Sequence, residues 1–454
     1  MFIDKEQLLT KLNQLYDAGM PCCVSLYSYP GEGKSRLLEE FLKGKKTLFY
    51  KASCVPWQEN FRLLRDVCLR ELGESFATVT RTSGLMKALK KASLGEPLVL
   101  ILDDFQYLSA QNRRLSTQLL ALEKEDPACR LFVILCKPSS IWEKEAPRKD
   151  RAFRLRNFNF FELCRLYPEL SPMDQMLLYS VTGGNPGLLE YFSSEFPVKE
   201  NLEQLFFREK GSLYRLVPEK LQRHYGSSPL IGGILAAIGS IPRHLQEICD
   251  RTELTPSAAS SLLTSLEKQG LTEKLVPVTE PVSSRRALYR ILDSGFRFWY
   301  TFVYPFQGEI ETGKGREIFQ NHVFPALSVY LKSAFEDICR DFLRLEQMQG
   351  DVPFSIDQVG MWWGQHPTRK RTEYIPIAAA GEKQILLGSC FLTEDWLDVD
   401  TLSVLQKHAG LFPDREKWYY LFSTSDFVAG FEAISGSHVR IFRLEDMCHT
   451  INGL

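Results

Sequence analysis

The chain has 454 residues, more than one hydrophobic core usually serves, so about two to four domains are expected. With 44% hydrophobic and 24% charged residues it has a globular composition, and its net charge of −1 excludes a general attraction to nucleic acid or membranes. No apolar run reaches about 18 residues, the first residues lack a secretion signal, and eleven cysteines form no C-x-x-C pair. We therefore expect a cytoplasmic protein with reduced thiols and no membrane partner.

The first predicted elements enclose a glycine-rich loop. Residues 4–17 have the apolar spacing of a helix, residues 21–28 are predicted to form a buried strand, and residues 34–43 the next helix. The loop between that strand and helix, SYPGEGKS, follows the pattern G-x-x-x-x-G-K-[ST], except that Ser28 replaces the first glycine.

Several groups in this loop suit the phosphates of a nucleotide. Gly31 and Gly33 let backbone N–H groups approach an anion, and the following helix directs the positive end of its dipole toward it. Lys34 supplies an ammonium for the terminal phosphates, and Ser35 supplies a hydroxyl for Mg²⁺. An ordinary glycine turn before a helix is the alternative. The predicted nucleotide-binding residues are Pro30, Gly31, Glu32, Gly33, Lys34, Ser35 and Arg36.

Further along, residues 97–108 (PLVLILDDFQYL) form an apolar run that ends in two aspartates, as a central strand of a parallel sheet would. Asp103 would hold the hydration shell of Mg²⁺, and Asp104 would polarise the attacking water. Asp104 is one methylene shorter than glutamate and falls about 1.5 Å short of its reach, so slow hydrolysis is expected. A pair that caps a helix is the alternative. ATP and Mg²⁺ are the predicted cofactors.

The remaining elements divide the chain further. Strands near residues 47–52 and 130–140 alternate with helices, which indicates an α/β fold with a doubly wound parallel sheet. From residue 161 the pattern is helical, interrupted by the segment TGGNPGLL. Three helices and two strands between residues 230 and 292 follow the order of a winged helix, and the rest of the chain mixes helices with strands.

Together these segments resemble the archaeal-type P-loop ATPase family, a branch of signal-transduction ATPases related to AAA+ proteins. The resemblance covers nearly the whole chain and rests on FIDKEQLLTKL, YSYPGEGKSRLLEEFL, LVLILDDFQYL, TGGNPGLLEYF and YRILDSGFRFWYTFVYP. It implies four parts: a P-loop ATPase core with a parallel sheet (1–160), a helical lid (161–215), a winged helix (216–306) and an α/β domain of the restriction-endonuclease type (307–454).

The resemblance also implies roles for single residues. Pro186 of the lid would lie against adenine, and Ser139 or Lys137 would act as a sensor near the terminal phosphate. Arg151 would be catalytic and would reach a phosphate in its own chain or in a neighbouring subunit. For each of these residues the alternative is a solvated or capping side chain.

In the C-terminal part, the resemblance implies a nuclease site whose ligands have been lost. Such a site needs carboxylates for one or two metal ions and a lysine that orients water. The aligned positions hold Ile375 in place of aspartate, Ser389 in place of glutamate and Phe391 in place of lysine, which leaves Glu336 alone. A shifted register would bring in Glu373 without restoring the other positions. We therefore expect no nuclease activity, and we expect Glu336 to be an ordinary surface acid.

The winged helix makes duplex DNA a candidate partner. Its recognition helix, which begins PSAASSLLTSLEKQG, has no cation in its first two turns. Two basic groups would have to meet phosphates instead. They are Arg285, Arg286 and Arg290 near the wing, and Arg369, Lys370 and Arg371 in TRKRTE. Solvated surface charge is one alternative, and a winged helix that joins proteins or domains is another.

These observations predict an ATP-binding protein that hydrolyses ATP slowly. It would act as a nucleotide-dependent switch that repositions the winged helix and an inactive nuclease-like domain. A DNA-binding protein with a mainly structural ATP site is the alternative, and a metal-dependent nuclease is a third function class. The expected partners are ATP, duplex DNA through the basic residues, and a protein partner or a second copy of the chain.

Overall fold

The computed structural model describes residues 5–122, 128–142, 150–226, 228–366, 371–431, 433 and 436–449. The chain divides into two compact units, Met1–Asn157 and Phe158–Leu454. Within the described residues, no helix combines the length and the apolar character that a membrane crossing requires.

The first unit contains a five-stranded parallel sheet with the strand order β2-β3-β4-β1-β5. Its strands are β1 (Cys22–Ser28), β2 (Thr47–Lys51), β3 (Leu98–Asp103), β4 (Leu131–Pro138) and β5 (Ala152–Arg154). Its helices are Glu6–Asp17, Lys34–Leu42, Trp57–Leu72, Thr82–Ala92, Gln106–Ser109 and Arg113–Leu120. All residues of β1 and β3 are buried, because apolar side chains cover both faces of the sheet.

The strand order positions the glycine-rich loop. Strand β4 lies between β3 and β1, and Ser28 at the end of β1 is the partner of Pro138 at the end of β4. The carboxyl ends of these parallel strands therefore meet at one edge of the sheet, which is where ligands bind in open α/β sheets. The predicted α/β fold with a P-loop type of sheet is confirmed.

The second unit begins with helices, as the sequence predicts for residues 161–215. The helices are Phe160–Leu166, Pro172–Thr182, Pro186–Leu189, Val198–Phe206 and Ser212–Tyr225. A capping box fixes the start of the first of them. The Asn159 side chain accepts a hydrogen bond from the N–H of Glu162, whose carboxylate accepts one from the N–H of Asn159.

The winged helix follows in the predicted order. Its helices are Pro229–Ile238, Leu245–Thr252 and Pro256–Lys268, and its sheet has the order β6 (Arg243–His244), β8 (Leu288–Ile291), β7 (Thr272–Leu275). The Thr255 hydroxyl accepts a hydrogen bond from the N–H of Ala258, and Pro256 opens the third helix, as the sequence predicts. The winged helix is confirmed.

A helical region joins the winged helix to the last sheet. The short helices Ser294–Phe298, Gln307–Glu311 and Gly315–Ile318 precede one long helix, Leu327–Gln349. Two wider π-helical turns, Trp299–Val303 and Phe319–Val323, are each followed by a proline in the next turn. Proline has no N–H to continue the α-helical ladder, so the helix changes its winding there.

The C-terminal sheet is mixed, with the order β13-β12-β11-β10-β9. Its strands are β9 (Gln358–Gln365), β10 (Thr372–Ala380), β11 (Gln384–Phe391), β12 (Glu416–Ser423) and β13 (Val439–Arg443), and its short helices are Leu402–Gln406 and Leu444–His449. Strands β9 to β11 are antiparallel, and β11 to β13 are parallel. One apolar cluster includes residues from Phe160 to Cys448, so the helical, winged-helix and C-terminal parts share a core. The boundaries at residues 160, 215 and 306 stay predictions.

Candidate nucleotide-binding site

The glycine-rich loop connects the end of β1 to the helix Lys34–Leu42. Gly31 and Gly33 have φ angles of 89° and 82°, in the left-handed region where a side chain would be strained. Ser28 still belongs to β1, and it is not among the described non-glycine residues with positive φ. The serine that replaces the first glycine therefore fits the strand without backbone strain.

Lys34 and Asp103 meet at the carboxyl edge of the sheet. The Lys34 ammonium donates a hydrogen bond to Oδ1 of Asp103, and both side chains are largely buried. Burial lowers the pKa of Lys34, but the neighbouring Cys136, Asp103 and Asp104 outweigh this effect and raise the pKa overall. Lys34 is therefore charged at neutral pH. The structure brings together the lysine of the loop and the aspartate of the predicted magnesium site.

Glu32 and Lys5 hold the loop in its conformation. The buried Glu32 carboxylate accepts a hydrogen bond from the N–H of Tyr29 (2.6 Å), and the Lys5 ammonium donates to the carbonyl oxygen of Glu32. The sequence pattern treats Glu32 as a variable position and gives no sign of Lys5, which lies 27 residues away. The other predicted loop contacts are half-buried or exposed: Pro30, Ser35 and Arg36.

Asp104 follows Asp103 in an uncommon backbone conformation. Its φ is 52°, and its N–H donates a hydrogen bond to Oδ1 of Asp103 (3.0 Å). Its carboxylate accepts a hydrogen bond from Nε2 of Gln106 (3.3 Å) and lies 3.6 Å from Nζ of Lys51. The helix Gln106–Ser109 has no side-chain cap, so the helix-capping alternative for the two aspartates is wrong. The sequence does not single out Lys51, although it ends β2 as the register partner of Asp103.

Lys137 and Ser139 lie at the carboxyl end of β4, at the same edge of the sheet. Ser139 is buried, and its hydroxyl has no hydrogen-bond partner within the described residues, so it can bond a ligand oxygen or a water. The Lys137 ammonium lies 5.5 Å from the ring centres of both Tyr27 and Phe105. Of the two predicted sensor residues, Ser139 has the unused polar group.

The side chain of Arg151 points toward the amino end of β1, away from the loop. Its guanidinium donates a hydrogen bond to Sγ of Cys22 (3.0 Å), the first residue of β1, and its carbonyl oxygen accepts one from the N–H of Ser25 (2.8 Å). Strand β1 separates Cys22 from the loop by about 20 Å of extended chain. The contact of Arg151 with a phosphate in its own chain stays a prediction, although the guanidinium points away from the loop in this arrangement. Its contact with a phosphate in a neighbouring subunit stays a prediction.

Pro186 belongs to the second unit, where it opens the helix Pro186–Leu189 after the capping residue Asn185. The preceding Gly184 has a φ of 65°, and a Cβ there would lie 1.9 Å from the carbonyl oxygen of Phe158. A hydrogen bond of 2.9 Å from the N–H of Phe158 to the carbonyl oxygen of Gly184 holds the two backbones at this distance. Only glycine therefore fits at position 184. The contact of Pro186 with adenine stays a prediction.

The aligned nuclease positions lie on an apolar face of the C-terminal sheet. Ile375 is completely buried in an apolar cluster, Phe391 packs against the same cluster, and Ser389 is half-buried in β11. Glu373 accepts a hydrogen bond from Arg371 (2.6 Å), whose charge and hydrogen bond lower the pKa of the Glu373 carboxyl. In the part of the chain that the structure describes, no three His, Cys, Asp or Glu side chains come together as metal ligands.

Glu336 is not the surface acid that the sequence suggests. It is 8% exposed, and its carboxylate accepts a hydrogen bond from the Tyr374 hydroxyl (3.0 Å). Burial raises the pKa of the Glu336 carboxyl, although Arg340 and Tyr374 partly stabilise its charge. The expectation of an exposed acid is wrong because the long helix turns Glu336 toward β10, a contact that its sequence neighbours do not reveal.

The basic residues near the wing differ in their surroundings. Arg290 is 15% exposed and donates hydrogen bonds to Asp337 (2.6 Å) and Glu273 (2.7 Å), so its predicted contact with DNA phosphates is wrong. Arg286 pairs with Glu280 within the wing, and both Arg286 and Arg285 are exposed.

The recognition helix presents hydroxyl groups to solvent. An open groove of about 480 Å³ lies along it and is lined by Ser257, Ser260, Ser261, Thr264, Ser265 and Lys268. Of the second predicted basic group, Arg371 pairs with Glu373, and Arg369 and Lys370 lie outside the described residues. Among the described residues that line the groove, Lys268 of the helix itself is the cation.

Comparison with protein families clarifies what the first unit does. Residues 2–134 match the AAA ATPase domain, residues 222–275 match the DprA winged helix domain, and residues 299–398 match a family described as archaeal bacterial proteins of unknown function. The resemblance to archaeal-type P-loop ATPases is confirmed. The AAA ATPase domain contains the whole glycine-rich loop and β3, and the coarse function, an ATP-binding ATPase, follows.

Three of the similar proteins come from archaea. An uncharacterized protein of Methanocaldococcus jannaschii is 22% identical over 440 residues, which cover 92% of this chain and 94% of the relative. A solved Walker-type ATPase of Pyrococcus abyssi is 17% identical, with 66% of this chain and 96% of that chain covered and a TM-score of 0.44. The ORC2 protein of Aeropyrum pernix, solved in ADPNP-ADP complexes, is 14% identical, with coverages of 70% and 94% and a TM-score of 0.42.

Proposed function

We propose that the AAA ATPase domain binds ATP with Mg²⁺, hydrolyses the ATP slowly and acts as a nucleotide-dependent switch. The ion pair between Lys34 and Asp103 carries the proposal, because it joins the cation that terminal phosphates need to the carboxylate that a magnesium shell needs. The residues fit both ligands. Gly31 and Gly33 open the loop to an anion, and the buried hydroxyl of Ser139 lacks a partner within the described residues.

Nucleotide binding has to separate Lys34 from Asp103. Lys34 then turns its ammonium toward the terminal phosphates, which leaves Asp103 and the Ser35 hydroxyl to hold the magnesium shell. When bound, Mg²⁺ neutralises the charge that develops on the phosphates. The exchange of one ion pair for contacts to the ligand gives the domain two states with different ATP affinities, as a switch requires.

Asp104 is the proposed general base. Its carboxylate is held toward β2 by Gln106 and by the cation of Lys51, 3.6 Å away. A carboxylate that is held by a cation and an amide is less free to turn toward an attacking water. This contact is a second reason to expect slow turnover, besides the short side chain of Asp104.

Nucleotide titration tests the role of Lys34 in ATP binding, and phosphate release tests the role of Asp104 as the general base. Lys34→Ala should weaken ATP binding by at least about tenfold, whereas Asp104→Asn should keep ATP binding and lose about 100-fold or more in turnover. Lys46→Ala is the matched control, since Lys46 pairs with Glu96 at the surface (3.2 Å). Tight ATP binding by Lys34→Ala would contradict the site, and unchanged turnover in Asp104→Asn would contradict the base.

We infer that the C-terminal domain has a nuclease-like fold without nuclease activity. Ile375, Ser389 and Phe391 supply no carboxylate or lysine, and Glu336 alone cannot hold a catalytic divalent ion. Plasmid DNA incubated with the protein and Mg²⁺ or Mn²⁺ should stay intact. Cleavage that the wild type performs and Glu336→Ala loses would contradict this inference.

A second candidate function is duplex-DNA binding by a protein whose ATP site is mainly structural. The match of residues 222–275 to a winged helix favours it. DNA affinity should then fall steeply with salt and stay unchanged in Lys34→Ala.

Light scattering on the same samples tests self-association. Arg151→Ala should slow ATP hydrolysis in an assembled form if Arg151 completes the nucleotide site of a neighbouring subunit.

A further inference from the structure

The wing of the winged helix, which is the loop of residues 276–287 between β7 and β8, packs against the C-terminal sheet. The N–H of Val278 donates a hydrogen bond to the carbonyl oxygen of Met361 in β9 (2.9 Å). Strand β9 is the edge of its sheet and pairs with β10 on its other side. The wing thus continues the hydrogen bonding of the sheet beyond its edge strand.

Two adjacent tryptophans of β9 also bind the wing. Nε1 of Trp362 donates a hydrogen bond to Oγ1 of Thr279, and Nε1 of Trp363 donates one to the carbonyl oxygen of Arg286, both at 3.1 Å. Successive side chains of a strand point to opposite faces of the sheet. The two indoles therefore hold the wing at two separate points.

Val278 extends the contact into the interior of the C-terminal domain. Its side chain is 4% exposed and belongs to the apolar cluster that also contains Trp362, Ile375 and Phe412. Apolar burial of this kind is the main favourable contribution to a packed core. The start of the wing, at Val278, is therefore part of the core of the C-terminal domain.

Two arginines at or beside the wing are engaged by protein groups, whereas Arg285 is exposed. Arg286 pairs with Glu280 of the same loop, and Arg290 joins Glu273 in β7 to Asp337 in the long helix. A wing that contacts nucleic acid uses its cations to replace counterions on phosphates. These two guanidinium groups already have carboxylate partners within the chain.

The wing is also ordered by its own turns. The N–H of Glu280 donates a hydrogen bond to the carbonyl oxygen of Pro277 (2.8 Å), and the N–H of Ser284 donates one to that of Pro281 (2.9 Å). Proline restricts the unfolded chain as well as the folded loop. The loop therefore loses little conformational freedom when it packs against β9.

We propose that the wing is a permanent joint between the winged helix and the C-terminal sheet, and that it does not contact nucleic acid. The two parts move as one body when the ATPase domain changes state. The proposal does not depend on ATP hydrolysis. Lys34→Ala tests the nucleotide site and leaves every contact of the wing in place, so the two proposals can fail separately.

Hydrogen exchange of the full chain, measured by mass spectrometry, tests the joint directly. The hydrogen-bonded amides of the wing, those of Val278, Glu280 and Ser284, should exchange at least about 100-fold more slowly than an unstructured chain. Addition of ATP with Mg²⁺, or of duplex DNA at low salt, should leave this rate unchanged. A nucleotide- or DNA-dependent increase of about tenfold would show that the wing leaves β9 and would overturn the proposal.

Trp363→Phe and Trp396→Phe form a matched pair of variants. The first removes the indole that donates to Arg286, whereas Trp396 is 65% exposed in another loop of the same sheet. Trp363→Phe should speed exchange of the wing amides with an unchanged circular dichroism spectrum, and Trp396→Phe should not. Equal wing exchange in both variants would mean that the indole does not hold the wing, and would contradict the joint.

Charge reversal of the wing provides an independent measurement. Arg285→Glu and Arg286→Glu should change neither the affinity for a duplex DNA probe nor the dependence of that affinity on NaCl. Loss of affinity together with a shallower salt dependence would show that the wing contacts phosphates. It would overturn the proposal that the wing does not contact nucleic acid.

Discussion

Asp337 in the long helix lies at the centre of a buried charge cluster, and its replacement by asparagine tests how the second unit is held together. Its carboxylate accepts hydrogen bonds from Arg290 (2.6 Å) and Arg340 (2.5 Å) and lies 3.5 Å from Arg297. The three guanidinium groups come from β8, from the long helix itself and from the helix Ser294–Phe298. One carboxylate therefore joins three elements of the unit.

The size of the expected loss follows from this geometry. Asp337→Asn keeps the shape of the side chain but removes the negative charge that three guanidinium groups share. Breaking a buried ion pair typically costs about 3–5 kcal/mol. The Asp337 side chain is 20% exposed, and Glu273 still pairs with Arg290, so both screening and a remaining partner reduce the loss. We expect the free energy of unfolding to fall by about 3 kcal/mol.

Urea denaturation of the full chain, followed by tryptophan fluorescence, measures this loss. Asp341→Asn is the matched control, because it removes the same charge from the same helix at a more exposed pair with Arg344 (2.6 Å). The free energy of unfolding of the control should change by less than about 0.5 kcal/mol. Equal losses in the two variants, or a loss below about 1 kcal/mol in Asp337→Asn, would refute the reasoning.

The remaining predictions concern pH, turnover and the backbone. Burial alone would raise the pKa of Asp337, but the surrounding guanidinium groups hold it far below its usual value, so its stabilisation is complete above about pH 4 and is lost as the pH falls further. Acid titration of unfolding should show this loss in the wild type and not in Asp337→Asn. Lys51→Ala frees Asp104 from an exposed cation and should raise turnover by about 1.5- to 5-fold in phosphate-release assays, and a decrease would contradict the restraint. Gly184→Ala should lower the free energy of unfolding by more than about 2 kcal/mol, whereas Gly233→Ala, in open space within a helix, should leave it unchanged or raise it by up to about 1 kcal/mol.

The nucleotide site could be predicted from the sequence largely because its main parts are local. The segment GEGKS fixes a turn and the start of a helix, and LVLILDD fixes a buried strand with its carboxylates at the end. Lys5 and Lys51 could not be predicted in the same way. Each reaches the site only through the folded sheet, Lys5 by bonding Glu32 and Lys51 by lying in β2 beside Asp104. Neither position belongs to a nucleotide-binding motif.

The basic residues near the wing show why the sequence alone does not reveal which cations can contact nucleic acid. Arg285, Arg286 and Arg290 lie within six positions, yet Arg285 is exposed, Arg286 pairs with Glu280, and Arg290 is largely buried. The hairpin register contains a signal that separates them, because Glu273 is the cross-strand partner of Arg290. Opposite charges at such positions attract each other across a strand pair. A cation in a β-hairpin is therefore available to nucleic acid only when its cross-strand neighbour leaves it unpaired, and by that criterion Arg290 belongs to the charge cluster around Asp337.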